Sequence, residues 1–528
     1  MKKRWLCLSL AAALTLSAAL LGACAPKDNG PNDDPGGDPG NEPELSAYVM
    51  PTWNGRDNSD TPDETVSVHD PSIFLDPVSG TYYAFGTHYA VASTTDLINW
   101  KQEVSDNDFA SLYGSETAIN YSAWPKALQD TLTLVQPNSN STTTWAPDVN
   151  YYDGTYYMYY SLTRDFGSSA SAIGRVEADN VLGPYSNNRI IVESVTQSGP
   201  NCIDPELFYD VESVTQSGPN CIDPELFYDK DGKLWMVYGS SFGGLYIKEL
   251  YNEGENWGLP KEEGFGKRLW SGSNNQEGPF IFYNEDTDYY YMMVSYGSLM
   301  TTYNMRVARS ENPDGPYVDI TGADMATVTG DSGGNKIAGN YIMGEAFDGA
   351  GYAAIGHNSV IEADGKYFVI AHARRQSGLG NDVTEGHNLY AFQLYFNEDG
   401  WPVMNPNRYA GEALGTGMTV QKLAGEYDVV QHSTGTVQNF VQSVAYNFNA
   451  DGTITDGDGA AAGSWSLTEN WYVTVTLGEV TYKGVATPSY TMYVRSYDDD
   501  YATYSRFSLT AVSDTGRSLW AVGTFAAT

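Results

Sequence analysis

Five short runs in this 528-residue chain place an acid or a histidine at the head of a strand-like stretch. They read HDPSIF from His69, APDVNY from Ala146, IDPELF from Ile222, EGPFIF from Glu277 and HNSVIE from His357. Their titratable groups are Asp70, Asp148, Asp223, Glu277 and His357. Two carboxyls that face each other can divide proton work, the ionised one taking a proton from water and the protonated one giving a proton to a leaving oxygen. Displacing a glycosidic oxygen with inversion needs that pair, with room for a water and a sugar ring between them. The two therefore come from distant positions, and Asp70 as general base and Glu277 as general acid meet the requirement. A third carboxylate beside the acid raises its pKa by like-charge repulsion and keeps it protonated. Asp223 is placed for that work.

The elements that must position these groups are hairpins. Each head runs into a short apolar stretch, a turn of Gly, Asp or Asn, and an aromatic second stretch, as in DPSIFLDPVSGTYYAFGT and PDVNYYDGTYYMYYSL. The unit returns about every 55 to 80 residues, the mark of a repeat architecture. Four-stranded units repeated radially make a propeller whose innermost strands line a channel. The expected fold is all-β, a five-bladed β-propeller over residues 51–415. All five heads are then expected to converge on one axis. Asp96 and Asp364 read as turn formers. His69, beside Asp70, is expected to alternate to the other strand face and serve structure. From 423 to 528 short alternating strands, such as YVTVTL from Tyr472, predict a small β-barrel or sandwich. Trp465, Trp471 and Trp520 are expected in its core.

One segment breaks the spacing. VESVTQSGPNCIDPELFYD occurs twice in direct tandem, at 192–210 and 211–229. Both copies supply an IDPE, so Asp204 is the alternative to Asp223. Only the second copy runs on into a turn, Lys230-Asp231-Gly232, and an aromatic partner strand. Closing a hairpin across a local turn costs less chain entropy than closing it across nineteen more residues. The second copy is expected to hold the blade, with the first looped out.

The net charge of −38, carried with 40 Tyr, 12 Trp and 18 Phe, argues against nucleic acid or an anionic membrane as partner. Residues 1–24 read as a signal segment, with Lys2, Lys3 and Arg4 before an apolar run that ends LGAC. The Leu21–Cys24 pattern is similar to a bacterial lipobox, which makes Cys24 the expected lipid attachment point. Residues 25–50, rich in Pro, Gly and Asp, read as a disordered tether. The expected location is the outer face of a bacterial membrane, held only by lipid, with the protein a monomer. Of the four cysteines, Cys7 lies in the signal and Cys202 and Cys221 are copies of one position, so no disulfide framework follows.

Taken in order, the heads resemble glycoside hydrolase family 43, the inverting five-bladed propellers, over Val68 to Glu412. The resemblance implies Asp70 as base, Asp223 as modulator of the acid and Glu277 as acid. In detail WAPDV at Trp145, FGSSASAIG at Phe166, YGSSFGGLYIKEL at Tyr238, YNMRVARS at Tyr303 and GHNSV at Gly356 are similar to the endo-α-1,5-L-arabinanases. GSW at Gly463 and KGV at Lys483 resemble the barrel appended to a larger arabinanase subgroup. The implied substrate is arabinan and its oligosaccharides, contacted by Trp145, Asp148, Phe166 and Ser171. Asp148 reads equally as a structural bond to a neighbouring strand. The family also implies Ca2+ in the channel near His357. Two rival readings stand beside this one: an exo-acting arabinofuranosidase or β-xylosidase on the same blades, and a non-catalytic glycan-binding lipoprotein.

Overall fold

The computed structural model describes residues 66–105, 144–163, 171–194, 219–272, 275–344, 351–376, 386–412, 414, 418–437, 439–468, 471–494 and 501–524. Cys24, the tether, Phe166, Cys202 and Asp204 lie outside them.

Four antiparallel sheets of four strands and one of six follow in chain order. Blade one comprises Ser72–Leu75, Tyr82–Phe85, Val91–Thr94 and Lys101–Val104. Blade two starts at Trp145–Tyr152 and ends at Ser186–Ser194; blade three runs from Glu225–Tyr228 to Lys267–Trp270. Blade four runs from Glu277–Asn284 to Asn335–Ala338. In blade five Gly351–Ala363, Lys366–Gln376, Asn388–Phe396 and Pro402–Arg408 pair in sequence order. Two short strands extend that sheet, and one of them, Val441–Gln442, comes from the C-terminal region and pairs in parallel with Tyr341–Ile342.

Local chemistry explains the hairpins. Asp153-Gly154 and Asp364-Gly365 all have positive φ, as a two-residue turn between Tyr152 and Thr155 or between Ala363 and Lys366 requires. Blades one and three turn instead on an aspartate that accepts from following backbone N–H groups, Asp76 from Val78 and Ser79, and Asp229 from Asp231 and Lys233. Asp96 accepts from Ile98 and Asn99 in the same way.

The blades are held by apolar clusters between neighbours. Blades one and two share Phe85, Val91, Met158 and Tyr160, and blades three and four share Val237, Ile247, Trp270 and Met292. A fully buried tryptophan such as Trp270 is worth about 3–5 kcal/mol against alanine. No strand is exchanged between blades five and one among the described residues. Ile73, Ala84 and Ala92 pack on Phe368, Ile370 and Ala391, and the Leu389 N–H donates to the Val66 carbonyl.

Eight strands from Gly425–Gln431 to Ser518–Gly523 close a barrel, the first pairing with the last. Trp465 is buried in its core and Trp471 packs against it. Trp520 turns outward instead, its ring 5.0 Å from Tyr341 in the cluster that joins barrel to propeller.

Candidate active site

Asp70, Ala146, Asp223, Gly278 and His357 occupy one position on the five blades, just before the innermost strand straightens. All five have left-handed backbone, with φ of 54°, 40°, 54°, 59° and 45°. For the four that are not glycine, this costs of order 1–3 kcal/mol each. Gly278 avoids the cost, and a Cβ there would come within 3.2 Å of the His357 ring. The five positions line one small cavity.

This ring corrects the expected alignment of heads. Glu277 stands one residue before its ring position, level with Trp145, and Asp148 stands two residues after Ala146. The pairing register shifts at these places, between Trp145 and Asp148 and between Glu277 and Phe280. A one-residue difference carries a side chain to a different face, so similar motifs deliver their acids to different depths.

Asp70 is held on every side. Thr87 Oγ1 donates to its Oδ2 at 2.6 Å and accepts from the Ala146 N–H, which ties Asp70 to blade two. Its Oδ1 faces three imidazoles: His357 Nδ1 at 3.0 Å, His69 Nε2 at 3.2 Å and His372 Nδ1 at 3.5 Å. The Asp70 N–H donates to His372 Nδ1, so that ring is neutral. Burial alone would raise the Asp70 carboxyl, but His357 and His69 outweigh it and hold the group well below the usual carboxylate range. Burial lowers His357, yet Asp70 and Asp223 raise it to about 9, so it stays protonated at neutral pH.

Glu277 has the opposite environment. Burial, then the charge of Asp223, push its carboxyl up to about 8. The Tyr303 hydroxyl donates to Glu277 Oε1 at 3.0 Å, and the Tyr303 ring stacks on His372. Asp223 accepts from the Gly278 N–H at 3.0 Å, beside the acid, while its own N–H donates to Ser161 on blade two. Burial, with a further push from Asp70, raises Asp223 to about 6. The arrangement therefore keeps one carboxyl ionised and another protonated at neutral pH, the division of labour an inverting hydrolysis requires.

Tyr303→Phe is expected to move the alkaline limb of the kcat/KM profile upward by about one pH unit. The lost hydrogen bond favoured the ionised acid, so its removal raises the pKa of Glu277. An unchanged or lowered limb would contradict the contact.

The remaining expected residues separate. Trp145 is half-buried on the level of Glu277. Asp148 is buried below the ring and accepts from Ser72 Oγ on blade one, the Leu226 N–H on blade three and Asn150. Two of these three bonds, from Ser72 and Leu226, cross between blades, the structural alternative of the two readings. Ser171 is also buried, donating to Asn220 and accepting from the Cys221 N–H, and it does not line the cavity. His69 does not turn away from the site but lies against Asp70. Thr87, Tyr303, His372 and His387 were not foreseen from sequence. The available signal was scarcity: of only six histidines in the chain, His69, His357, His372 and His387 gather around one aspartate.

Of the duplicated stretch, Val192–Ser194 of the first copy finish the outer strand of blade two, and Asp223 of the second copy enters the site. Residues 195–218, on which the looping out of the first copy falls, lie outside the described residues.

A propeller with this divided carboxyl pair defines a glycoside hydrolase, and comparison with known proteins gives the family. The profile described as glycosyl hydrolases family 43 matches residues 62–215 and again 210–402, breaking inside the duplication. A second, described as a C-terminal lipocalin-like domain, matches 406–521. The chain belongs to glycosyl hydrolases family 43. It is 38% identical to an extracellular endo-α-(1→5)-L-arabinanase of Thermotoga petrophila, over 86% of this chain and 93% of that one. It is 37% identical to extracellular endo-α-(1→5)-L-arabinanase 2 of Bacillus subtilis, over 80% of this chain and 87% of that one. The crystal structure of the endo-1,5-α-L-arabinanase from Thermotoga petrophila aligns with a TM-score of 0.71 at 35% identity, covering 88% of this chain and all of that one.

Proposed function

We propose that this extracellular enzyme hydrolyses α-1,5-arabinofuranosidic linkages within arabinan, with inversion. The observation that carries the reading is a base, Asp70, held ionised and an acid, Glu277, held protonated, with the charge of His357 acting on both. It stands in a chain 38% identical to an endo-arabinanase along 93% of that relative. Asp70 takes a proton from water as the water attacks the anomeric carbon. Glu277 gives its proton to the departing glycosidic oxygen. Protonated His357 holds Asp70 in place, and Asp223 keeps Glu277 protonated until bond breaking. Trp145, level with the acid, suits a stacking platform for a sugar ring.

The test is the product profile on linear arabinan, with the anomer followed by NMR. Early release of oligosaccharides and β-configured new reducing ends are expected. Monomeric arabinose as the sole early product overturns the endo reading, and a retained anomer overturns the mechanism.

The expected Ca2+ fits the residues present. Asn358 Oδ1 is buried without a hydrogen-bond partner and lines the cavity with Asp223 and Glu225. Burial and the neighbouring Asp148 push Glu225 well above its ordinary pKa. An orphaned amide oxygen among carboxylates suits an ion that takes oxygen ligands. Asp223, Glu225 and Asn358 would hold it, with waters, and its charge would offset the crowded acids. His357 Nδ1 is already committed to Asp70. A fall in Tm on chelation that Ca2+ reverses is expected; an unmoved Tm removes the ion from the account. Lipid attachment at Cys24 is the remaining part of the proposal. A Cys24→Ser chain should leave the membrane fraction for the medium, and unchanged partition counts against the anchor.

A further inference from the structure

The seam between propeller and barrel buries two basic side chains with no acid to match them. Lys336 lies in the last strand of blade four, Asn335–Ala338, and His432 follows the first barrel strand, Gly425–Gln431. Each is 1% exposed. The Lys336 ammonium donates to the Gly435 carbonyl at 2.6 Å and makes no ion pair among the described residues. Both ring nitrogens of His432 are buried without a hydrogen-bond partner, and so is Nε1 of Trp520, whose ring meets the imidazole at 4.7 Å with planes at 88°. The carboxylate whose charge reaches Lys336 is Asp331, and it is already engaged. Its Oδ1 accepts from Arg306 and from Thr436 Oγ1, and its Oδ2 accepts from the Thr436 N–H. Buried charges are otherwise paired, because an ammonium taken out of water without a counter-charge is strongly disfavoured. Here burial, then the charge of Arg306, lower Lys336 to about 7.

Gly339 shows where a counter-charge fits. Its backbone is not left-handed, so conformation does not call for glycine there. Space does. A Cβ would stand 3.4 Å from both Lys336 Nζ and His432 Nδ1, and 2.9 Å from Lys336 Cε. An ammonium and an imidazole thus face one small volume beside a residue that has no side chain.

We propose that Lys336 Nζ and His432 Nδ1, around the space beside Gly339, bind a small monovalent anion, chloride, which supplies the missing charge and fastens the barrel to the propeller. The ammonium has three hydrogens and uses one on Gly435. A neutral imidazole still carries one N–H, so His432 donates through Nδ1 without taking up a proton. The ammonium facing the space excludes a metal cation. The close approach of Lys336 Cε leaves room for a single atom rather than for phosphate or sulfate, once that flexible side chain yields by a few tenths of an ångström. Lys336 and Gly339 belong to the propeller, His432 and Gly435 to the barrel, so the ion bridges the two. Two residues beyond Gly339 the same seam carries the parallel pairing of Tyr341–Ile342 with Val441–Gln442. The site shares no residue with the channel, and the proposal does not rest on the arabinanase reading.

The full chain is melted at pH 6.5 while chloride replaces gluconate at constant ionic strength. A saturable rise in Tm of at least about 2 °C is expected. Gly339→Ala puts a methyl group into the space and keeps both nitrogens, and should lose that rise whatever its own Tm. Lys336→Met, which removes the charge and keeps much of the length, is the second variant and should lose it too. Crystals of the wild type soaked in bromide should show an anomalous peak beside Gly339, within hydrogen-bond reach of Lys336 Nζ and His432 Nδ1. A wild-type Tm indifferent to chloride, or crystals with no peak at that position, overturns the proposal. So does a chloride response that either variant keeps in full, in which case a bromide peak marks an adventitious ion only.

Discussion

Asp70→Asn is expected to lower kcat on linear arabinan by about 10²- to 10⁴-fold, with KM little changed and the fold intact. Glu277→Gln should cost as much on the polymer, and the two losses can be told apart. An aryl arabinofuranoside with a good leaving group does not need a proton donor. On that substrate Glu277→Gln should recover most of its rate, while Asp70→Asn, which lacks the group that activates water, should not. The pH dependence has a definite sign. Asp70 works ionised and is held well below the usual carboxylate range, so the acid limb should lie lower than for an ordinary aspartate. Glu277 works protonated and is pushed up to about 8, so activity should fall as pH rises through that value. Recovery by Asp70→Asn on the aryl substrate, or a mutant alkaline limb identical to wild type in Glu277→Gln, would reverse the assignment.

Asp223→Asn and Asp204→Asn should differ sharply although their sequence contexts are identical over nineteen residues. Asp223 places a carboxyl beside Glu277 and takes the Gly278 N–H. Removing its charge lowers the pKa of the acid, which shifts the alkaline limb down and reduces kcat roughly tenfold or more near neutrality. Asp204→Asn should leave kcat within about twofold. Deleting any nineteen-residue window inside the tandem yields the same polypeptide, and that chain should keep full activity. Steady-state kinetics on the three proteins decides. If Asp204→Asn alone is damaging, the second copy does not form the site.

Much of this was open to reading in the chain itself. Short-range rules place the hairpins: Asp153-Gly154 and Asp364-Gly365 turn where positive φ is needed, and apolar residues alternate along the barrel strands. The motifs that carry Asp70 and Glu277 were legible for the same reason, since each is a local run of residues. The fate of the duplicated stretch was legible in part. Only Asp223 has a turn and a partner strand downstream, but the use of Val192–Ser194 from the other copy could not be seen.

What the tertiary structure alone decided is depth and company. Asp148 and Glu277 sit in motifs that look alike, yet bulges set them at different levels, Glu277 level with Trp145 and Asp148 deeper, in bonds between blades. The imidazoles around Asp70 come from blades one and five, which meet only when the ring closes. His372 and His387 stand in no motif, and Thr87 and Tyr303 are ordinary strand-end residues until they touch the base and the acid. Local sequence encodes the dihedrals and the hairpins; contacts across some three hundred residues are made by apolar packing between blades, and that packing carries no residue-by-residue signature along the chain.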